Sequence, residues 1–482
     1  MVRYKILIFW GLLASAAGLL VLMNGCAGTS GNSNIHQNLG KIQHVVILFQ
    51  ENRTTDNLFH DPVLMSRGAD IATTGVNSTG QTITLKSASL VTDYDFSHAH
   101  EAFVKMYDNG QMDGADLIAQ HCSTGATDCP RANLNFEYVQ ASDVEPYFKL
   151  AETYTFGDKM FQTNQGPSFP AHQYIISGTS AVTETSNLLA AENPGGLAYA
   201  DDTGCAAAAS QTVYVIDSTN MDASTNETQK LYPCYEHNTL IDLLDAQKIS
   251  WRYYGNVTKC DPNSAPCGHS GIWVGPNAIQ HLCVPNAAPP NGTSCTGAEW
   301  VSNVLPNTQV LTDVQNGQLP AVSWVIPDGK ASDHPNSNTG EGPSWVASVV
   351  NAIGNSQYWN NTAIIITWDD WGGLFDHVAP TVRNSYEYGF RVPLIVVSPY
   401  AKAAYISHNP HDFGSILKFV ETVFGLGTID TKAGGYADSR SDDLSDCFDF
   451  NQTPLVFTTV PTKYDANYFL SDKRPPVDPD DD

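Results

Sequence analysis

Two carboxylates, Asp369 and Asp370, stand side by side after the apolar run Ala363-Ile364-Ile365-Ile366-Thr367-Trp368, with Gly372-Gly373 and Asp376-His377 close behind. Adjacent carboxylates repel each other unless a cation or a proton lies between them, so the pair points to one half of a metal site. A second run, residues 44–49, ends in Gln50-Glu51-Asn52-Arg53. Glu51 and Asn52 offer two more oxygen ligands, and the Arg53 guanidinium suits a phosphate or an acid. The third unusual stretch is Asn164-Gln165-Gly166-Pro167-Ser168-Phe169-Pro170-Ala171-His172. Its glycine and prolines make a stiff turn that fixes the Ser168 hydroxyl. A serine becomes a nucleophile only with a base, a lowered pKa or a metal. No G-x-S-x-G elbow surrounds Ser168, which argues against an α/β-hydrolase triad and for activation by a metal. Each segment taken singly also reads as an ordinary strand end or Pro-rich loop. Two acidic strand ends and one fixed hydroxyl in the same chain favour a shared site.

Histidines recur beside these segments. Asp95-Phe96-Ser97-His98-Ala99-His100 lies upstream, Asp333-His334-Pro335 follows a predicted strand, His377 follows the acidic pair, and His408 and His411 come late. A lone histidine is most often structural. Several at predicted sheet ends fit an anion site, where one imidazole binds the anion and another protonates a leaving oxygen.

The positioning elements are legible around these residues. Runs of β-branched residues at 363–367 and 44–49 read as central strands of a parallel sheet, whose carboxyl ends are where open α/β sheets bind ligands. Further strands are expected at 212–216, 322–326 and 392–397. Helices are expected from Ser142-Asp143-Val144-Glu145, a capping-box pattern, and at 239–247, 344–353 and 411–424, the last stopped by Gly425. The alternation predicts an α/β fold: a central, mainly parallel sheet flanked by helices, with a loop-rich, disulfide-containing insertion. The expected organisation is a signal segment at 1–26, a flexible linker at 27–40, one catalytic domain at 41–470 with a Cys-rich insertion or cap at 200–300, and a disordered acidic tail at 471–482.

Arg3 and Lys5 precede an apolar run that ends in Asn24-Gly25-Cys26. This reads as an export signal of lipoprotein type, with Cys26 lipidated as a membrane tether; a cleaved secreted form and an uncleaved anchor are the other readings. All three place the rest of the chain outside the cytoplasm, in the periplasm, on the outer membrane or secreted. The 50 Asp and Glu against 24 Lys and Arg give a formal charge of −26, which argues against nucleic acid as a partner. Nine cysteines follow Cys26, and their spacing suggests pairs 122/129, 205/234, 260/267 and 283/295, with Cys447 left over. An oxidising compartment accounts for them better than a zinc ribbon, since no C-x-x-C is present. Oligomeric state is not legible.

The ordered set Glu51-Asn52-Arg53, Gly166-Pro167-Ser168, Asp333-His334-Pro335, Asp369-Asp370-x-Gly372-Gly373-x-x-Asp376-His377 and Arg391-Val392-Pro393 resembles the bacterial phospholipase C/acid phosphatase family, within the alkaline phosphatase-like superfamily. The match runs from about Gln43 to Gly425. The resemblance implies one divalent metal held by Glu51, Asn52, Asp369 and Asp370, with Ser168 as nucleophile and a phosphoseryl intermediate. It implies that His98 and His334 contact phosphate or the leaving group, and it marks His377 and His411 as recurrent positions. In the Cys-rich middle, His269 and His281 are the candidates for a further phosphate contact. Oxygen ligands suit Ca²⁺, Mg²⁺ or Mn²⁺ more than Zn²⁺. The Asp-Asp-Trp-Gly-Gly motif and Ser168 favour the acid phosphatase branch, hydrolysing phosphate monoesters. The alternative is a phospholipase C acting on phospholipid head groups. A lipoprotein that binds a phosphorylated ligand without turnover is the third reading.

Overall fold

Buried β-branched and aromatic runs build the centre of the molecule, seen in a computed structural model that describes residues 39–195, 202–257, 270–336, 338–430 and 435–475. The expected signal segment with Cys26, most of the linker, Cys260, Cys267, His269 and residues 476–482 of the tail lie outside the described residues. The main sheet takes β1 (His44–Gln50), β2 (Thr155–Phe161), β3 (Trp251–Gly255), β4 (Val304–Pro306), β5 (Val322–Val325), β6 (Thr362–Trp368), β7 (Arg391–Val397), β8 (Tyr405–Ser407) and β9 (His411–Asp412). Its nine strands run in the order β4-β3-β5-β1-β6-β7-β2-β8, with β9 also pairing β2. Pairings from β4 through β6 are parallel, and β7 is antiparallel to both neighbours. All seven residues of β6 and of β7 are buried, as expected of strands covered on both faces. This is the α/β class with a mainly parallel sheet expected from the sequence.

Five helices matter for the site and its support: α1 (His100–Tyr107), α2 (Ala141–Thr153), α3 (Ser168–Ser177), α4 (Gly342–Gly354) and α5 (Phe413–Phe424). Helix α5 opens on a capping box between Asp412 and Ser415 and ends at Gly425 in the left-handed region. The expected capping box at Ser142 does not form. Helix α2 starts two residues earlier, Gln140 is its cap without a side-chain bond, and the Ser142 hydroxyl donates to Asp143 instead. Pro146 lies inside α2, and the backbone of Val144 departs from helical angles ahead of it, because a proline disfavours helical conformation upstream.

The 200–300 stretch is not confined to a cap, since β3 belongs to the main sheet. The strand predicted there, found as Val213–Asp217, sits in a small antiparallel sheet with Leu188–Ala190 and Gln229–Leu231, whereas β3 is not expected from the sequence. Disulfides join Cys122–Cys129, Cys205–Cys234 and Cys283–Cys295. Cys447 is free and buried. Among the described residues, no helix is long and apolar enough to cross a membrane.

Candidate active site

Register brings the first acids together. Strands β1 and β6 run parallel with Gln50 opposite Trp368, so Glu51 and Asp369 leave the sheet at the same level. The Asp369 N–H donates to Gln50 O at 3.0 Å, and the Asn52 N–H donates to Asp369 Oδ1 at 3.0 Å. Asn52 takes φ of 61°, a conformation that asparagine tolerates better than most side chains. Its amide Nδ2 lies 3.1 Å from His98 Nε2, and His98 Nδ1 lies 3.0 Å from Phe96 O.

The turn after β6 closes on these groups through two glycines. Gly372 and Gly373 have φ of 59° and 66°. A Cβ on Gly372 would stand 2.4 Å from Asn52 O, and one on Gly373 would stand 2.5 Å from the Phe96 Cβ. The acidic turn therefore packs directly against the segments that carry Asn52 and His98. The Gly372 N–H donates to Asp370 Oδ1 at 2.7 Å.

Ser168 is the first residue of α3, at the end of the connection from β2. Its hydroxyl donates to Asp370 Oδ2 at 3.3 Å, and His98 Nε2 stands 3.8 Å from the same oxygen. One helical turn later, His172 occupies the same face. Its Nε2 lies 3.3 Å from Glu51 Oε1 and 3.7 Å from Asp369 Oδ2, and its Nδ1 lies 3.3 Å from the Tyr253 hydroxyl on β3. His172 closes the Gly-Pro-Ser stretch in the sequence, where the motif alone assigns it no role. Its i+4 spacing from Ser168 on a helix was the available signal.

Glu51, Asn52, Ser168, His172, Asp369 and Asp370 are at most 1% exposed. Both Glu51 carboxylate oxygens, Asn52 Oδ1, Asp369 Oδ2 and His172 Nε2 are buried without a hydrogen-bond partner. Unpaired buried acceptors are costly, and here they converge. Burial, then the Asp369 carboxylate, pushes the Glu51 carboxyl well above its ordinary range. Burial lowers His172 to about 4 despite Asp369, which leaves a neutral imidazole, the form that ligates metals. The donor set fits a divalent cation, with Glu51, His172 and Asp369 within mutual ligand range and the Asn52 backbone tied to Asp369 through its N–H.

His334 follows β5. Its ring centroid lies 6.0 Å from that of His98 and 5.9 Å from that of Trp273, and its Nδ1 lies 2.7 Å from Pro335 O. The preceding Asp333 accepts from the Tyr147 hydroxyl at 2.8 Å and from Trp368 Nε1 at 3.0 Å. Burial raises Asp333 to about 6, against the pull of Arg53.

Four residues expected near phosphate are engaged elsewhere. The buried Arg53 donates to Asp333 O, Asn57 Oδ1 and Leu90 O. All its nitrogens are therefore spent on protein acceptors, and it clamps the Asp333-His334 turn against the end of β1. His377 meets Asp56 at 2.7 Å and Asp70 at 3.1 Å, inside a cluster where Arg391 pairs with Asp376 and Asp56. Burial opposes its charge, but Asp56 and Asp376 together outweigh burial and hold His377 up at about 9. His411 pairs with Asp442 at 2.9 Å beside β2. His281 is about one-third exposed between Glu236 and Asp242.

Residues 42–427 match the family model described as the Phosphoesterase family. The chain belongs to that family. This phosphoesterase is similar to phospholipase C B of Mycobacterium tuberculosis, 24% identical over 460 residues covering 86% of this chain and 79% of the relative. It is also similar to the non-hemolytic phospholipase C of Burkholderia pseudomallei, 25% identical over 430 residues, covering 80% of this chain and 55% of the relative. The hemolytic phospholipase C of Pseudomonas aeruginosa is 25% identical over 461 residues, covering 85% and 56%. This phosphoesterase thus spans little more than half the length of the latter two. Similar solved structures include an alkaline phosphatase superfamily protein from Vibrio parahaemolyticus, 10% identical with a TM-score of 0.34 and coverage of 87% and 79%. A lipoteichoic acid synthase from Listeria monocytogenes is 9% identical with a TM-score of 0.35 and coverage of 86% and 81%.

Proposed function

We propose that this phosphoesterase is a phospholipase C-type hydrolase that cleaves the bond between the glycerol oxygen and phosphorus. The observation that carries phosphoester chemistry is the buried Ser168 hydroxyl on Asp370, next to the bare acceptors of Glu51, Asn52 and Asp369. The relatives, all phospholipases C by name among those above, support the phospholipid substrate over the phosphate monoester expected from the motifs. Glu51, Asn52, His172, Asp369 and Asp370 would hold one divalent cation. When bound, it would neutralise phosphate charge and favour the serine alkoxide. One neutral imidazole among oxygen donors suits Mn²⁺ or Zn²⁺ as well as Ca²⁺ and Mg²⁺.

In the proposed reaction Ser168 gives its hydroxyl proton to Asp370 Oδ2, its hydrogen-bond acceptor, Oγ attacks phosphorus, and the bond to the alcohol breaks as the Oγ–P bond forms. His98 or His334 donates the proton that the departing alcohol needs. Water then breaks the phosphoseryl bond and regenerates the hydroxyl. Catalysis of this type rests on positioning and on stabilising charge at the phosphoryl oxygens. Phosphomonoester hydrolysis is the second reading, favoured by Asp370-Trp371 and by serine rather than threonine at 168. The disulfides support an oxidising, extracytoplasmic compartment.

The test is product release from phosphatidylcholine and from a soluble phosphomonoester, with Ca²⁺, Mg²⁺, Mn²⁺ or Zn²⁺ supplied in turn. Diacylglycerol and phosphocholine from the lipid are expected. Phosphate from the monoester alone would replace the reading with the phosphatase. Silence on both by folded, metal-loaded protein would favour a binding role.

A further inference from the structure

Beyond the β2 edge of the sheet, β8, β9 and residues 442–447 fold together around a histidine, an aspartate and the odd cysteine. His411 Nδ1 meets Asp442 Oδ1 at 2.9 Å. On the other side of the ring, Nε2 lies 3.5 Å from Asp446 Oδ1. The Cys447 thiol sulfur lies 3.7 Å from that same oxygen. One ligand atom each from His411, Asp446 and Cys447 falls within 4.8 Å of the other two. His411 and Cys447 are buried, while Asp446 is partly open to solvent.

These separations are long for an imidazole–carboxylate hydrogen bond, which spans about 2.7–3.2 Å. They suit ligands that share an ion. Zinc bonds of about 2.0–2.3 Å set tetrahedral ligand atoms roughly 3.3–3.8 Å apart. His411 Nε2 also lies 3.1 Å from Ser407 Oγ, a contact that zinc at Nε2 would replace. The Ser407 hydroxyl donates to Asp446 Oδ2 at 2.5 Å, so Oδ1 is the oxygen that faces Nε2 and the sulfur. Asp442 takes the far ring nitrogen and is itself held by Ser415 Oγ at 2.5 Å and Leu444 N at 3.1 Å. A carboxylate behind a histidine is the arrangement that orients metal-bound imidazoles.

We propose that His411 Nε2, Asp446 Oδ1 and Cys447 Sγ bind one zinc ion, with water in the fourth position, at a site separate from the Glu51–Asp369 cluster. A thiolate with an imidazole selects zinc over the hard cations Ca²⁺ and Mg²⁺. The site has a structural place in the fold. Cys447 O accepts from Lys402 N at 2.9 Å and from Thr155 Oγ1 at 3.0 Å, so an ion there fastens the C-terminal segment to β2 and β8. It also gives a use to the one free cysteine among the described residues.

The experiment loads the purified full chain with Co²⁺ in place of Zn²⁺ and reads cobalt–thiolate charge-transfer absorption, beside a zinc titration. The wild type should show the band. Cys447→Ser should lose it and bind zinc at least about tenfold more weakly, and Asp442→Asn should weaken binding by roughly 10–100-fold. Asp369→Asn should leave the band intact, which separates the two sites. No cobalt–thiolate band in the wild type would overturn the proposal and leave His411 as a ring held between Asp442 and the Ser407 hydroxyl. Unchanged zinc affinity in Cys447→Ser would overturn it equally. If Cys447→Ser fails to fold, the wild-type spectrum decides alone.

Discussion

At the scale of single residues, Ser168 and His172 carry different burdens on one helical face. Ser168 Oγ donates to a carboxylate oxygen of the site, Asp370 Oδ2. Ser168→Ala should therefore cut turnover by at least about 10³-fold while leaving bound metal unchanged, as metal analysis of the purified variant would read. Wild-type turnover would remove Ser168 as nucleophile. His172 Nε2 has no hydrogen bond and lies within 3.7 Å of both Glu51 and Asp369. His172→Ala should weaken cation affinity by about 10–100-fold, measured by Mn²⁺ titration. Equal affinity would make His172 a core residue stacked near Trp273.

At the scale of elements, the turn after β6 depends on positive φ. Gly372→Ala should cost about 1–3 kcal/mol from backbone strain and push against Asn52 O, 2.4 Å from the new Cβ. Urea unfolding should show the loss, and turnover should fall with it; a variant equal to wild type in both would mean that the turn moves freely. On α5, burial and the Asp438 carboxylate push Glu421 up to about 8, against the Lys418 ammonium 3.0 Å away. The folded chain then keeps its proton up to about pH 8, while the unfolded chain releases it near the ordinary glutamate value. Stability should fall as pH rises between those points. Glu421→Gln should flatten that slope, read as Tm against pH; an unchanged slope would assign it to other groups.

At the scale of the whole molecule, the insertion and the sheet support each other around α3. The turn at residues 275–278 packs so closely that a Cβ on Gly275 would stand 2.2 Å from His172 O. The Cys205–Cys234 bridge, 29 residues apart in sequence, lies beside that turn, since Gly204 touches Asn277. Replacing both cysteines by serine should lower unfolding free energy by about 2–4 kcal/mol. Cation affinity should persist, because the acids leave from β1 and β6 rather than from the insertion. Lost affinity in a folded double variant would show that the insertion shapes the site.

The amino-acid sequence by itself determined the local features. Consecutive isoleucines and valines specified β1 and β6, Gly425 stopped α5, and short cysteine spacings marked the 122/129 and 283/295 bridges. Acids at two strand ends marked the candidate site, because residue type and neighbours suffice to propose one. Only the tertiary structure decided which distant groups meet. Parallel register sets Glu51 beside Asp369, 318 positions away in the numbering, and helix α3 swings His172 onto both. The same long-range packing took Arg53 to the Asp333 turn, His377 to Asp56 and His411 to Asp442. A buried charge or imidazole goes to whichever partner the packed sheet leaves within hydrogen-bond reach, and that choice is made across hundreds of residues rather than by the adjoining motif.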